Sequence, residues 1–78
     1  MQLEIITPEQ KIYSGEVTMV NLPGSDGSFG LLENHAPIIS TLKTGTIKVV
    51  EKDNAEKTFE VKGGVIEMNN NKIIVLAE

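Results

Sequence analysis

The sequence predicts an all-β fold, and three observations support it: short runs with alternating apolar residues, turn signals between the runs, and no helical apolar stripe. In Thr46–Lys52 the apolar residues Ile47 and Val49 alternate with polar neighbours, and Thr58–Lys62 shows the same alternation. A period of two with one polar face is typical of a half-buried strand. Apolar residues never recur at the 3.6-residue spacing over a useful length, so we predict no long helix.

The other apolar runs also predict strands, and one of them has a different pattern. Leu3 and Ile5 alternate with polar residues before Pro8 ends the first run. Gly45 indicates a bulge or a tight start of a strand. The exception is Lys72–Ala77, whose apolar residues are continuous, so we predict a strand buried on both faces.

Turn signals separate these runs at regular intervals and complete the fold prediction. They are Ser14-Gly15, Asp53-Asn54, Gly63-Gly64 and the run from Asn69 to Asn71. Many short strands at this spacing indicate a small β-sandwich or flattened barrel. The length of 78 residues fits one domain, 1–78.

Composition excludes several classes of function. The net charge is −4, from seven lysines, no arginine and eleven acids, so the chain lacks the basic stripe of a nucleic-acid-binding protein. The absence of cysteine excludes a disulfide framework and a thiolate metal site. No apolar run approaches the roughly 20 residues of a membrane span, and the N-terminus does not read as a signal peptide. We therefore predict no direct membrane insertion.

A glycine-rich segment is the strongest local signal. Gly24, Gly27 and Gly30 lie within seven residues, with Phe29 as their only large apolar neighbour. Such spacing predicts sharp turns or positive φ angles. A phosphate-binding Walker loop would need a lysine directly after the last glycine, whereas Leu31 follows here. We expect Phe29 to be largely buried as an anchor for the segment.

The candidates for catalysis and metal binding fail on their residue types. His35, the only histidine, would need an orienting acid and an activated serine, and no nucleophile elbow is present. Asp26 and Glu33 match no calcium loop. We therefore predict no catalytic residue, no cofactor and no metal. His35 itself has three possible roles: a structural histidine that ties loop carbonyls together, a partner contact, or a base.

Several segments, taken in order, resemble the N-terminal β-sandwich domain of the epsilon subunit of F-type ATP synthases. They are YSGEV, GSDGSFG, NHAP, LKTGTIKV, KGGVIE and the closing VLAE, which together span nearly the whole chain. The resemblance implies a ten-stranded sandwich. Longer family members continue into a helical hairpin, so we expect either a naturally short epsilon subunit or an isolated domain.

The resemblance also implies a function and partners. It implies a non-catalytic rotor subunit of a proton-translocating synthase, peripheral on the cytoplasmic face of the bacterial inner membrane, which couples c-ring rotation to the gamma subunit. The isolated domain should neither bind nor hydrolyse ATP, so titration with Mg-ATP should give no heat beyond dilution. The alternatives are a free-standing β-sandwich module that binds a peptide or sugar, and a small hydrolase.

Site residues follow from the resemblance position by position. The loop that meets the c-ring falls on Ser25, Asp26, Gly27, Ser28 and Gly30, with Ser28 at its tip. The gamma side falls on Thr7, His35, Ala36, Pro37 and Ile38. The chain departs from many family members at Ser28 and Phe29, where an acid and an aliphatic residue are common. We expect Ser25, Asp26 and Ser28 to be exposed.

Overall fold

The computed structural model describes residues 1–78 and contains eight β-strands and no helix. The strands are β1 (Gln2–Ile6), β2 (Lys11–Gly24), β3 (Gly27–Leu32), β4 (Ile38–Leu42), β5 (Gly45–Glu51), β6 (Glu56–Val61), β7 (Gly64–Asn69) and β8 (Lys72–Ala77). The all-β prediction is confirmed, but eight strands replace the expected ten. One reason is that β2 runs unbroken for 14 residues.

The strands form two layers that share β2. The first layer has the order β1-β8-β7-β4, in which β1 and β8 are parallel and the other pairs antiparallel. The second layer consists of β3, β2, β5 and β6. The beginning of β2 pairs with β1, and its last residue, Gly24, pairs with Leu42 of β4. The hydrogen bonds therefore run around a closed, flattened barrel.

The core lies between the two layers. Ile47 and Val49 of β5 are fully buried, as the alternation predicts. The core is a single cluster to which every strand contributes, and no charged or polar side chain is buried in it. Its largest members are Leu3, Ile5, Leu22, Leu31, Ile47, Ile66, Met68 and Ile73.

The burial of strand β8 differs from the prediction. Its residues Ile73, Val75 and Ala77 face the core, but Leu76 is 55% exposed and Ile74 is only half-buried. The prediction of burial on both faces was wrong for this chain because no element packs on the outer side of the first layer. The continuous apolar run fills one face with core residues and leaves apolar residues on the other.

Turns or bends form at three of the four places that the sequence indicates, but Ser14-Gly15 lies inside β2 and pairs with β1, so the turn predicted there was wrong. Asn70 and Asn71 have φ angles of 51° and 62° in the hairpin between β7 and β8, and Asn54 has 68° before β6. Asparagine tolerates this left-handed region. Gly45 begins β5, and a Cβ there would lie 2.7 Å from the Cβ of Pro23. It is therefore a tight start of a strand, one of the two predicted possibilities.

Candidate functional site

The glycine-rich segment forms a tight β-hairpin. Gly24 at the end of β2 pairs with Gly27 at the start of β3, which leaves Ser25 and Asp26 as the two-residue tip. Gly27 has a φ of 133°, which an L-residue rarely adopts, so a glycine is favoured directly after the tip. Ser28 lies within β3, and the prediction that it forms the tip was wrong.

Packing fixes the base of this hairpin. Gly24 is buried, and a Cβ there would lie 2.5 Å from the carbonyl oxygen of Gly27 and 2.7 Å from the ring of Phe29. Phe29 is half-buried against the core, less than predicted, and it covers Gly24. Gly30 has open space around its Cα, so neither φ nor packing requires a glycine there.

Hydrogen bonds tie the tip to the first layer. The amide of Ser25 donates to the carbonyl oxygen of Thr41 at 3.0 Å, and the two hydroxyls lie 2.8 Å apart. Ser25, Asp26 and Ser28 are exposed, as predicted. The tip is therefore an exposed corner with a fixed base.

The segment around His35 connects β3 to β4. Its amide donates to the carbonyl oxygen of Leu32, and its Nδ1 lies 2.7 Å from the carbonyl oxygen of Ala36. This contact fits the structural role, while the ring stays exposed. Ala36 and Pro37 are exposed as well, whereas Ile38 is half-buried and packs on the core.

Thr7 closes the turn between β1 and β2. Its amide donates to the carbonyl oxygen of Gln10 at 2.8 Å. Its hydroxyl donates to the same oxygen at 3.0 Å and accepts from the Gln10 amide at 3.2 Å. Thr7 therefore has a local role that its sequence position alone does not reveal.

The structure separates the residues that the sequence grouped as one gamma side. Ile6, next to Thr7, pairs across β8 and β7 with the row that ends at Thr41, beside the hairpin tip. The His35 segment lies at the opposite end, where the amide of Asn34 donates to Oδ1 of Asn71 at 2.8 Å. From strand spacing and rise, the two ends lie roughly 20 Å apart along the diagonal of the first layer.

Between the Thr7 corner and the His35 corner of the first layer lies a surface that the sequence alone did not predict. We define the outer apolar face as Ile6, Ile39, Val65, Ile74 and Leu76, which point away from the core on four neighbouring strands. Ile39 is 73% exposed and Val65 41%. The continuous apolar run of β8 was the available signal, although it was interpreted as burial on both faces.

An aromatic and charged cluster links the beginning of β2 to β5 and β6. The Tyr13 hydroxyl donates to the Glu51 carboxylate at 2.5 Å, and Lys57 Nζ lies 3.4 Å from the same carboxylate. Burial, together with the hydrogen bond to Glu51, raises the pKa of Tyr13 to about 12. The Phe59 ring packs beside Tyr13 with 5.3 Å between centroids. Tyr13 therefore stays protonated at neutral pH and serves as a hydrogen-bond donor.

The α-amino group of Met1 connects the chain start to the His35 end. It donates to the carbonyl oxygen of Val17 at 3.0 Å and to the Glu33 carboxylate at 2.9 Å. This hydrogen bond lowers the pKa of Glu33 below its ordinary value. In the same way, Lys11 lowers the pKa of Glu4.

No group of three or more histidine, cysteine, aspartate or glutamate residues lies close enough to hold a metal ion. No helix has the length and apolar character of a membrane span.

Residues 1–78 match the family described as ATP synthase, Delta/Epsilon chain, beta-sandwich domain. The chain belongs to this family. The ATP synthase epsilon chain of Chlorobium limicola is 42% identical over 77 residues, which cover 99% of this chain and 88% of the relative. The epsilon chain of Caulobacter vibrioides is also 42% identical, over 79 residues that cover 100% and 90% of the two chains.

The fold of this delta/epsilon family member recurs in a distant solved structure. A chain in the cryo-EM structure of the Euglena gracilis mitochondrial ATP synthase, OSCP/F1/c-ring, superposes with a TM-score of 0.88. The two chains are 16% identical, and the match covers 96% of this chain and 48% of the other. At that identity the similarity concerns the fold.

Proposed function

We propose that this chain is a non-catalytic central-stalk subunit of a proton-translocating F-type ATP synthase, in which it couples rotation of the c-ring to the gamma subunit and so to ATP synthesis. The observation that carries the proposal is the match with curated epsilon chains along the entire sequence at about 42% identity. In this role the domain contributes shape and contacts, and no side chain acts as an acid, a base or a nucleophile. It binds no nucleotide.

The proposed c-ring contact is the hairpin between β2 and β3. Ser25 and Asp26 form its exposed tip, with Gly27, Ser28 and Gly30 along the adjoining strand. The hydrogen bonds of Ser25 to Thr41 and the packing at Gly24 hold the tip in place, as a contact that transmits rotation requires.

The proposed gamma side spans the first layer. Thr7 stands at one corner, and His35, Ala36 and Pro37 stand at the other, with the outer apolar face between them. Ile38 is half-buried, so its neighbour Ile39 is better placed for a partner. Bound in this way, the chain would sit at the cytoplasmic face of the bacterial inner membrane as a peripheral part of the complex.

Co-purification tests the proposal directly. The chain, tagged at its C-terminus, is mixed with the gamma subunit of its own organism and, separately, with detergent-solubilised c-ring. We expect gamma to elute with it in a one-to-one complex. Failure to retain gamma at micromolar concentrations, with the domain folded by circular dichroism, would contradict the central-stalk role.

Cross-linking tests the c-ring contact separately. Asp26→Cys places a thiol at the hairpin tip, and Glu60→Cys places one on an exposed position of β6 in the second layer. In the assembled enzyme, a short bifunctional reagent should join the first variant to a c subunit and leave the second unlinked. Equal yields from both variants would remove the hairpin from the contact.

A further inference from the structure

The outer apolar face contains one carboxylate without a charged partner, and this feature specifies the partner more closely. We infer that the face receives a protein surface that places a single lysine or arginine side chain against Glu67, beside the apolar contacts of the face. The inference rests on the proposed function, under which that protein is the gamma subunit.

Glu67 lies at the centre of the face. It stands on β7 and pairs with Ile39 of β4 on one side and Ile74 of β8 on the other. Val65 lies two residues before it on the same face of the strand, and Leu76 is diagonal to it across β8. Large apolar side chains therefore flank the exposed carboxylate on three sides, and the polar Asn69 follows it on the same face of β7.

None of the ion pairs in the structure includes Glu67. Glu4, the other acid in this row of the layer, is paired with Lys11 at 3.0 Å. Lys72 lies diagonally across from Glu67 but makes no ion pair with it. Glu67 is thus satisfied by water while the face is open.

Covering the face changes the requirement at Glu67. A carboxylate that loses water without gaining a partner costs several kcal/mol, and one that meets a cation avoids much of this cost. An apolar surface without a cation is therefore rejected, and one with a lysine or arginine at the matching position is selected. The carboxylate supplies specificity, and the surrounding apolar groups supply buried area.

A second copy of this chain fits the face poorly. Each copy carries a net charge of −4, so two copies repel.

Four strands and five rows span roughly 14 by 13 Å, so a contact limited to this face would bury only a few hundred Å² per partner. Specific interfaces bury more than about 1,000 Å² in total. The partner must therefore also contact residues outside the outer apolar face.

Shallow depressions at both corners provide that additional contact. One is lined by Pro37, Ile38, Ile39, Glu67, Met68 and Asn69. The other is lined by Ile6, Thr7, Pro8, Leu76, Ala77 and Glu78. A partner that covers the diagonal between Thr7 and Pro37 would fill both depressions and place its cation over Glu67.

The test compares Glu67→Lys and Glu67→Gln with wild type for binding to the purified gamma subunit of the same organism, at low and high salt. Glu60→Lys on β6 is the matched control, because it reverses an exposed glutamate on the other layer. We expect binding to weaken about 30- to 100-fold for Glu67→Lys and about 5- to 10-fold for Glu67→Gln. The control should bind within about twofold of wild type, and Glu67→Gln should show less salt dependence.

The outcomes separate the inference from the function. Wild type that fails to bind gamma overturns the proposed function and the inference together. Wild type that binds, with Glu67→Lys binding equally well, overturns only the inference. If Glu67→Lys lowers the melting temperature, the milder variant Glu67→Gln is used to test the inference. An unchanged affinity of Glu67→Gln for gamma then overturns the inference. Recovery of Glu67→Lys binding by one lysine- or arginine-to-glutamate change in gamma would identify the facing cation. A wild-type dimer that Glu67→Lys dissociates would instead make a second copy the occupant, against the inference.

Discussion

The outer surfaces of the two layers differ although both layers pack on the same core. The second layer presents Lys48 and Glu56 as an ion pair at 3.4 Å, and Glu60 accepts a hydrogen bond from the hydroxyl of Thr46. Its exposed large apolar residue is Leu32, next to the His35 segment. The first layer presents the outer apolar face with an unpaired acid at its centre.

The proposed function accounts for this difference, because it places the gamma side on the first layer and leaves the outer side of the second layer to water. Exposed apolar residues are common singly, but a contiguous group on adjacent strands marks an interaction site. Because the two layers have similar strands and share one core, stability of the isolated domain does not account for the contrast. The predictions below test this comparison, beginning with the largest expected effect.

Neighbouring residues of β8 should respond oppositely to the same substitution. Val75→Asp places a charge in the core, where Val75 is fully buried, and should cost about 4 kcal/mol or more, most of the stability of a domain of this size. Leu76→Asp, on the outer apolar face, should cost less than about 1 kcal/mol. Chemical denaturation of both variants measures the two costs. Similar costs would mean that the two sides of β8 are not distinct.

Charges on the two outer surfaces should differ in their effect on gamma binding. Ile39→Asp should change the free energy of unfolding by under about 0.5 kcal/mol, because the side chain is exposed, yet weaken gamma binding by about 1–3 kcal/mol. Thr58→Asp is the control, since Thr58 is exposed on β6 of the second layer, away from the His35 segment. Isothermal titration with gamma gives both affinities. Equal weakening would show that gamma does not distinguish the layers.

Tyr13 allows a spectroscopic test of the hydrogen bond between β2 and Glu51 of β5. Its pKa of about 12 lies above the ordinary value of about 10, so its contribution to stability is complete below pH 10 and is lost as the pH rises towards 12. It is the only tyrosine, and tryptophan is absent, so ultraviolet absorbance of tyrosinate follows this group alone. Tyr13→Phe should cost about 1 kcal/mol at neutral pH and lose less stability above pH 10. A titration midpoint near 10 in the folded protein would contradict the buried hydrogen bond.

Glu33 should produce the smallest effect, which is present at neutral pH and is lost in acid. Its pKa is lowered, so its stabilising contact with the Met1 amino group is present above the ordinary glutamate pKa of about 4.3 and is lost as the pH falls through the lowered value. Glu33→Gln should melt below wild type at neutral pH, and the difference should shrink in acid. Glu9→Gln, which alters a glutamate outside any ion pair, is the control. A difference that does not change with pH would exclude the contact.

Strand positions and turns were predictable because local rules decide them. Alternation placed Ile47 and Val49 correctly, and asparagine pairs marked the turn at Asn70. The conformation of individual residues in the hairpin between β2 and β3 was harder to predict from the sequence. Which of the three glycines adopts a positive φ depends on the strand register, and Phe29 is only half-buried, lying over Gly24 at the end of β2.

The candidate site needed the tertiary structure. Thr7 and His35 occupy opposite corners because β1 and β4 are the outer strands of one layer, an order that sequence spacing does not reveal. The outer apolar face combines residues from β1, β4, β7 and β8, so no local pattern contains it. The apolar run of β8 correctly indicated apolar residues on both sides of this strand, and the error was to place both sides in the core of this chain.

The shared strand β2 has a mechanical consequence. It is hydrogen-bonded to β1, β3, β4 and β5, so neither layer can slide past the other without breaking ladders along this one strand. Under the proposed function, a torque applied at the hairpin tip would enter β2 directly and be divided between both layers. The backbone amides near the middle of β2, around Val20, should then exchange with solvent only when the whole domain unfolds. Such stiffness allows a small domain to pass on rotation instead of absorbing it.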